Sequence, residues 1–435
     1  VTALVDQRVV TPRLLACVQR TGAFDLASHV AVHGWPKALD LPPSRRSRLA
    51  PWAEELLTDI EDAGLTGRGG AAFPTARKLR AVLSTRRRPV VVVNAMEGEP
   101  ASMKDQVLLS FAPHLVIDGA ELLAAAIGAK EVLICLPDDR IEVGSVLRAT
   151  LAERDRAGLL RSPVHVATPP GRYLVGEESA LVDWIRGGPG LPVFRPSKGA
   201  PLTLGPCVAL VHNAETLAHV ALIARHGPEW FRSAGVPGAP GTCLVTLSGA
   251  VARPGVYEIE MGTPVADIID LGDPTATPAA ALVGGYGGGW IPSSAFKAPY
   301  TPSAMRELGA ATGPGILVAL GSASCLIAET ARILGWLAAE RAGQCGPCTY
   351  GLPAIAEDLA QLARGTGDRG LLRRLERRTG QIAGRGACRH PDGAVRLVQS
   401  VLRNFPSEVS EHAQGRPCAS ALGETPLPLG VPHWP

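Results

Sequence analysis

Apolar and polar positions along this chain switch between two periods, and the switches mark the elements. After Pro51, Leu56, Leu57 and Ile60 recur at helical spacing, which predicts an amphipathic helix. Pro89-Val-Val-Val-Val93 is a continuous β-branched run, the pattern of a strand buried on both faces. Helix 113–128, strand 131–136, helix 140–157 and strand 164–168 follow, a βαβαβ alternation. Residues 179–186 read as helical, 207–213 as a further strand, and 215–225 as the helix behind it. Residues 1–50, rich in Pro and Arg, carry no strong period and read as an arm draped over the first domain.

Around 235–241 the composition shifts to Gly and Pro, which predicts a linker. Beyond it, 242–248, 256–260 and 265–271 read strand, strand, helix, the start of a β-grasp module closed by 281–283. A glycine-rich loop at 284–289 and a last strand at 316–321 follow. From Ser324 onward the period is helical, over 326–340, 352–364, 369–381 and 394–405, which suits a four-helix bundle. The domain expectation is therefore an arm (1–50), an α/β domain (51–235), a β-grasp domain (240–300) and a helical bundle (301–435).

Composition narrows the function classes. Lys plus Arg is 43 against 40 for Asp plus Glu, a net charge of +3, so there is no electrostatic case for nucleic acid or a membrane surface. No signal peptide and no apolar run of membrane-spanning length is read; the best stretch, 316–328, is short and carries Gly and Ser. Nine cysteines in 435 residues are an odd number and do not resemble a disulfide framework. The expectation is a reduced, cytoplasmic protein, peripheral to the inner face of the cell membrane only through partners.

The chemistry gathers at strand ends. Gly64-Leu-Thr-Gly-Arg-Gly-Gly-Ala-Ala-Phe-Pro-Thr-Ala-Arg-Lys78 places four glycines in seven residues, a loop whose backbone a flat or phosphorylated ligand can approach. It fits neither G-x-G-x-x-G nor G-x-x-x-x-G-K-[ST]. The first strand ends in Asn94-Ala-Met-Glu-Gly-Glu-Pro100, an acidic loop where open α/β sheets hold ligands. Gly171-Arg-Tyr-Leu-Val-Gly-Glu-Glu178 follows a later strand; there Glu177 and Glu178 also read as ordinary charges at a helix start. Cys207-Val-Ala-Leu-Val-His-Asn213 runs into another helix. In the helical region stand Cys345-Gly-Pro-Cys348 and Cys388-Arg-His390.

In this order the motifs resemble the flavoprotein subunit of bacterial NADH:quinone oxidoreductase (respiratory complex I), across roughly 52–405. The resemblance implies a Rossmann-like α/β domain binding FMN and accepting hydride from NAD(P)H, then a β-grasp (soluble-ligand-binding) domain and a C-terminal four-helix bundle. It implies that Gly67, Arg68, Gly69, Gly70 and Lys78 line FMN, and that Asn94 and Glu97 contact the flavin and its ribityl chain. Tyr173, Gly176, Glu177 and Glu178 would form a wall shared by FMN and NADH, while Asn213 and Thr216 would hold flavin hydroxyls and phosphate. Glu99 would accept from the nicotinamide amide, and Phe73 and Phe194 would stack on adenine. No residue is implied as a general acid or base; Glu99 and Glu178 are positioning groups. A [4Fe–4S] cluster would sit on the cysteines, and electrons would leave for an iron–sulfur protein or a separate thioredoxin-like [2Fe–2S] subunit of a hetero-oligomeric complex.

Four positions depart from that pattern. Met96 stands where the family has Asp, Leu191 where it has a lysine near the dinucleotide phosphates, and Ala81 where it has an aromatic. Loss of the ionic contact costs roughly 1.5–3 kcal/mol and of the stack about 1, on the order of a hundredfold in NADH affinity. Arg195 is placed to restore the charge. Ala342 replaces the first cluster cysteine, leaving Cys345, Cys348 and Cys388, with His390 as a further ligand for iron or for a Cys₃His zinc site. Two other readings stay open: a degenerate flavin-binding paralogue without NADH chemistry, and a zinc-stabilised interaction scaffold.

Overall fold

Strand β1 (Arg88–Asn94) is the axis of the N-terminal half of the chain. Val91 and Val93 face one core, with Leu115, Leu122 and Leu217 of the covering helices; Val90 and Val92 face the other, with Leu181 and Val182. Burial on both sides explains why the strand is an unbroken apolar run instead of an alternating one. β1 pairs in parallel with β2 (Val132–Cys135) on one side and with β5 (Cys207–Asn213) on the other. β3 (Val164–Ala167) extends the sheet beyond β2, and β4 (Leu202–Leu204) closes the far edge antiparallel to β5. The order β3-β2-β1-β5-β4 means that the chain leaves β1 in one direction and returns on the other side. This computed structural model describes residues 12–17, 25–44, 49–195, 199–422 and 427–430.

The linker contains a two-residue ladder, β6 (Gly235–Val236) with β7 (Ala239–Pro240). A second sheet follows, built from β8 (Thr242–Gly249), β9 (Gly255–Glu260), β10 (Ala280–Val283), β11 (Gly289–Pro292) and β12 (Ile316–Leu320). Its order is β11-β10-β12-β8-β9. β12 lies between β10 and β8, so the sheet continues well past residue 300, where the sequence pattern ends that module. One face carries Val245, Tyr257, Val283 and Leu317 over the helix Val265–Leu271. The other carries Leu282, Trp290, Ile316 and Val318 against the C-terminal helices Leu326–Ala339, Leu352–Arg364, Leu371–Ile382 and His390–Asn404.

Helices absent from the periodic reading include Lys104–Phe111, Pro302–Glu307 and Pro406–Ala413. The first buries Lys104 and Asp105 at its start, so its polar residues point inward and no amphipathic stripe results. The described part of the N-terminal arm includes a helix, Leu26–His33, and its Leu14, Leu15 and Leu39 enter the first core. Residues 1–11, 18–24 and 45–48 of the arm lie outside the described residues. Among the described residues no single helix is long and apolar enough to cross a membrane; one pair, Lys104–Phe111 with Pro113–Ile127, reaches that length only across a 94° bend.

Candidate functional site

The strand order reverses between β1 and β5, and their last residues, Asn94 and Asn213, are register partners at the carboxyl ends. An open α/β sheet leaves a ligand crevice at such a reversal, because the two connections depart to opposite sides. The glycine loop lies on that crevice: a Cβ on Gly69 would come within 3.3 Å of Asn213 Cβ. The loop is pinned at its neck, where Gly67 N–H donates to Phe73 O (2.9 Å) and Thr75 N–H donates to Leu65 O (3.0 Å). Gly70 has φ +109, a conformation that L side chains rarely adopt. The helix Thr75–Leu83 then brings Lys78 back under the crevice.

Around this point the sequence-derived residues converge unequally. Lys78 Nζ donates to Val211 O (2.6 Å) and bridges Glu178 (2.9 Å), and Arg195 approaches Glu178 at 3.6 Å. Asn94 Nδ2 donates to Gly176 O (2.9 Å), joining the acidic loop to the Gly176–Glu178 turn. Thr216 accepts Arg68 N–H at 2.9 Å and so fixes the glycine loop on the second helix start. The Arg68 guanidinium points away from the crevice, onto Pro240 O and Thr242 O. Phe73 lies beneath the Arg77 guanidinium, 5.4 Å from its ring centre, while Phe194 stands 66% exposed on the rim of a cleft of about 290 Å³. Ser179, Asp183 and Arg195 share that cleft.

Three acidic residues turn inward. Glu97, at φ +37, spends its carboxylate on the start of helix Lys104–Phe111, accepting from Asp105 N–H (2.9 Å), Gln106 N–H (3.0 Å) and Ser102 Oγ (2.8 Å). Burial raises its pKa. Glu177 caps the helix Glu178–Ile185, accepting from Ser179 and Ala180 N–H, so the helix-charge reading describes its contacts. Glu99 is 8% exposed and accepts the N–H of Tyr286, in the glycine-rich loop after β10. A Cβ on Gly285 would sit 1.9 Å from Glu99 Oε1, so only glycine admits the carboxylate there. Burial pushes the Glu99 carboxyl up to about 8.

The charge network behind the crevice was not legible in the sequence. Lys104 is 1% exposed and contacts Asp105 (2.9 Å), Glu215 (2.9 Å) and Asn213 Oδ1 (2.9 Å). Burial acts to lower its pKa, but Asp105 and Glu215 more than offset this and raise it. Asn213 Nδ2 donates to Asp105 (2.6 Å) and to Asn94 O (3.2 Å), which ties the two strand ends together.

Tyr173 faces the C-terminal helices. Its N–H donates to Glu340 (3.3 Å), and its ring lies edge-on to Trp336 (5.1 Å) and His390 (5.6 Å). Cys345 precedes the π-helical turn Pro347–Gly351 and Cys348 lies within it; the N–H groups of Gly343 and Ala342 lower the Cys348 pKa against the larger effect of its burial. Burial pushes Cys388 up to about 11; Glu177, Cys348 and Cys345 add to the rise, so all three cysteines share one neighbourhood. His390 Nε2 lies 2.8 Å from Leu337 O and must donate to it, leaving the lone pair on buried Nδ1, which has no protein partner. Among the described residues, a different set has ligand atoms close enough for a single metal ion: Cys325, Glu408, His412 and Cys418.

The Nuo51 FMN-binding domain family model matches residues 60–222, an SLBB domain model 244–279, and the NADH-ubiquinone oxidoreductase-F iron-sulfur binding region 328–412. The F subunit of the NADH-quinone oxidoreductase of Streptomyces coelicolor is 32% identical over 386 residues, covering 86% of each chain. The second F subunit of the Rhizobium meliloti enzyme is 29% identical, over 84% of this chain and 90% of its own. Among solved structures, the NAD⁺-reducing [NiFe]-hydrogenase in the H₂-reduced state superposes with TM-score 0.77 at 29% identity, over 88% of this chain; the match spans 66% of the hydrogenase chain.

Proposed function

Because the chain belongs to the family of NADH-quinone oxidoreductase F subunits, we propose that the β1/β5 reversal would hold FMN and that the protein is an oxidoreductase subunit acting between a reduced nicotinamide dinucleotide and an iron–sulfur partner. The observation that carries the reading is the glycine loop seated on the Asn94–Asn213 crevice. Bound FMN supplies the conversion of a two-electron donor into one-electron transfers. The protein's own work is binding, orientation and exclusion of water. In this reading Gly67, Gly69 and Gly70 let the backbone approach the flavin, and Lys78 supplies positive charge at its edge. Asn94, Gly176 and Glu178 form the opposite wall, and Asn213 and Thr216 set the helix start that meets the phosphate. Glu97 and Glu177 act from behind, by capping the helices that shape the site. Phe73 and Phe194 take the adenine, and Arg195 supplies the phosphate charge that Leu191 lacks.

The second sheet with its helix is taken as the β-grasp, soluble-ligand-binding module, and the last helices as the four-helix bundle. Cys345, Cys348 and Cys388 would hold three corners of a [4Fe–4S] cluster, with His390 Nδ1 or solvent at the corner that Ala342 cannot serve. A thioredoxin-like [2Fe–2S] subunit is the fitting partner, and membrane association would come through such partners.

Glu99 favours one competing reading. As the nicotinamide anchor it would have to be reached by the amide at its second oxygen although the side chain is buried beside Tyr286, and a paralogue that keeps it closed off would hold flavin without using NADH. The visible spectrum of the purified protein, recorded before and after NADH, separates the two. A yellow protein bleached by NADH supports the oxidoreductase; a yellow protein indifferent to NADH supports the paralogue; a colourless protein that takes up no FMN overturns the flavin site.

A further inference from the structure

The C-terminal helices bring a second group of metal-ligating side chains together, with no residue in common with Cys345, Cys348 and Cys388. Cys325 caps the helix Leu326–Ala339, its sulfur accepting Ala328 N–H at 3.4 Å. Glu408 and His412 lie one turn apart on the helix Pro406–Ala413, and Cys418 follows in the turn beyond it. One ligand atom from each of the four lies within 4.8 Å of all the others. Cys325 Sγ is 3.7 Å from His412 Nε2 and 4.0 Å from Glu408 Oε1. Tetrahedral zinc, with bonds of about 2.0–2.3 Å, sets its ligand atoms about 3.3–3.8 Å apart, so changes in separation of at most about 1.5 Å close the site.

The imidazole is already prepared for this role. His412 Nδ1 lies 3.2 Å from Leu362 O, which can only accept, so Nδ1 carries the proton and the Nε2 lone pair faces the two sulfurs. The Cys418 N–H now shares that lone pair at 3.2 Å, a contact that a metal ion would replace. His412 is 1% and Cys325 2% exposed. Glu408 and Cys418 are half-buried beside them, so the carboxylate and the imidazole have given up part of their water, which a metal ion would replace. An adjoining cleft of about 280 Å³, lined by Cys325, Ala360 and Ser420, gives an entry path. The ligand atoms converge on one point, which suits a mononuclear ion and not the spread corners of a cubane.

We propose that Cys325, Glu408, His412 and Cys418 bind a structural zinc ion that ties the start of helix Leu326–Ala339 to the last helix and the segment after it. Four protein ligands leave no open coordination position, so the ion is structural. It releases thiol protons on binding, and its affinity falls as pH falls.

Elemental analysis of the full chain, purified under reducing conditions and exposed to Zn²⁺, tests this. One tightly held zinc per chain is expected, retained in Cys345→Ser/Cys348→Ser and lost in Cys325→Ser/Cys418→Ser. Should the latter not fold, zinc release from the wild-type chain during titration with a mercurial reagent is read instead. Replacement by Co²⁺ should give the visible bands of a tetrahedral thiolate site. The proposal is overturned if the reduced wild-type chain retains no zinc, if zinc disappears only with Cys345 and Cys348, or if mass spectrometry of that reduced preparation finds Cys325 and Cys418 joined as a disulfide. Flavin content and NADH bleaching are independent of these outcomes, so failure here leaves the oxidoreductase reading standing.

Discussion

Gly70 is where the site depends most directly on one residue. At φ +109 any side chain is strained, by roughly 1–2 kcal/mol. Yet a Cβ there would meet Gly313 and Pro314 no closer than 3.6 Å, so the surrounding fold has room. Gly70→Val should therefore purify as folded protein with little or no FMN, judged by flavin absorbance after denaturation; full occupancy would displace the flavin from this loop. Glu99 yields a pH prediction. Its folded pKa of about 8 lies above the usual carboxyl value, so the native state holds the proton more tightly than the unfolded chain. The resulting stability is complete below about pH 4, and is lost as pH rises through 8. Glu99→Gln keeps an oxygen for Tyr286 N–H and cannot ionise. Melting temperatures of the apo-protein from pH 5 to 9 should fall more steeply for wild type than for this variant, and parallel curves would show that Glu99 does not titrate there. The sequence pattern named these residues because loop glycines and strand-end acids are written locally. It left open which way each carboxylate turns, since Glu97 and Glu99, two positions apart, end on the start of the helix Lys104–Phe111 and on the loop after β10.

At the scale of elements, periodicity located most strands and helices within a few residues, for a physical reason. β1, β5 and the helix Pro113–Ile127 are apolar over most of their length because they are buried, and such runs are visible without tertiary information. The helix Lys104–Phe111 was hidden because its buried start is charged, and its stability comes from partners remote in sequence, Glu215 and Asn213. β11, directly after a glycine-rich loop, was hidden because its pairing with β10 and the cover over Trp290 come from elsewhere in the chain. The Lys104 network makes the tertiary contribution testable. Lys104→Met would leave the Asp105 and Glu215 carboxylates buried without their cation, a loss on the order of 3–5 kcal/mol. Denaturant unfolding should show that loss, together with weakened FMN retention, because Asn213 and the end of β5 are held by the same contacts. An unchanged midpoint would mean that the two carboxylates find other partners.

The whole molecule is less modular than its motif order suggests. Leu244 and Val256 of the second sheet belong to the core of the first domain, and Ala101 of the acidic loop belongs to the core under the C-terminal helices. Glu258 on β9 accepts the N–H groups of Arg13, Leu14 and Leu15, so the N-terminal arm is fastened to the second sheet. Arg68 reaches from the glycine loop to Pro240 and Thr242, and Glu99 to Tyr286, so the crevice itself is closed by contacts between sheets. Tyr173 joins the third region through Trp336, His390 and Glu340. Removing any one region exposes apolar surface on another, and this couples their unfolding. Calorimetry of the intact chain should therefore show one transition, with van't Hoff and calorimetric enthalpies close to each other, although a chain of 435 residues commonly melts in stages. Two resolved transitions would mean that the shared cores contribute little and that the motif order also marks independent folding units.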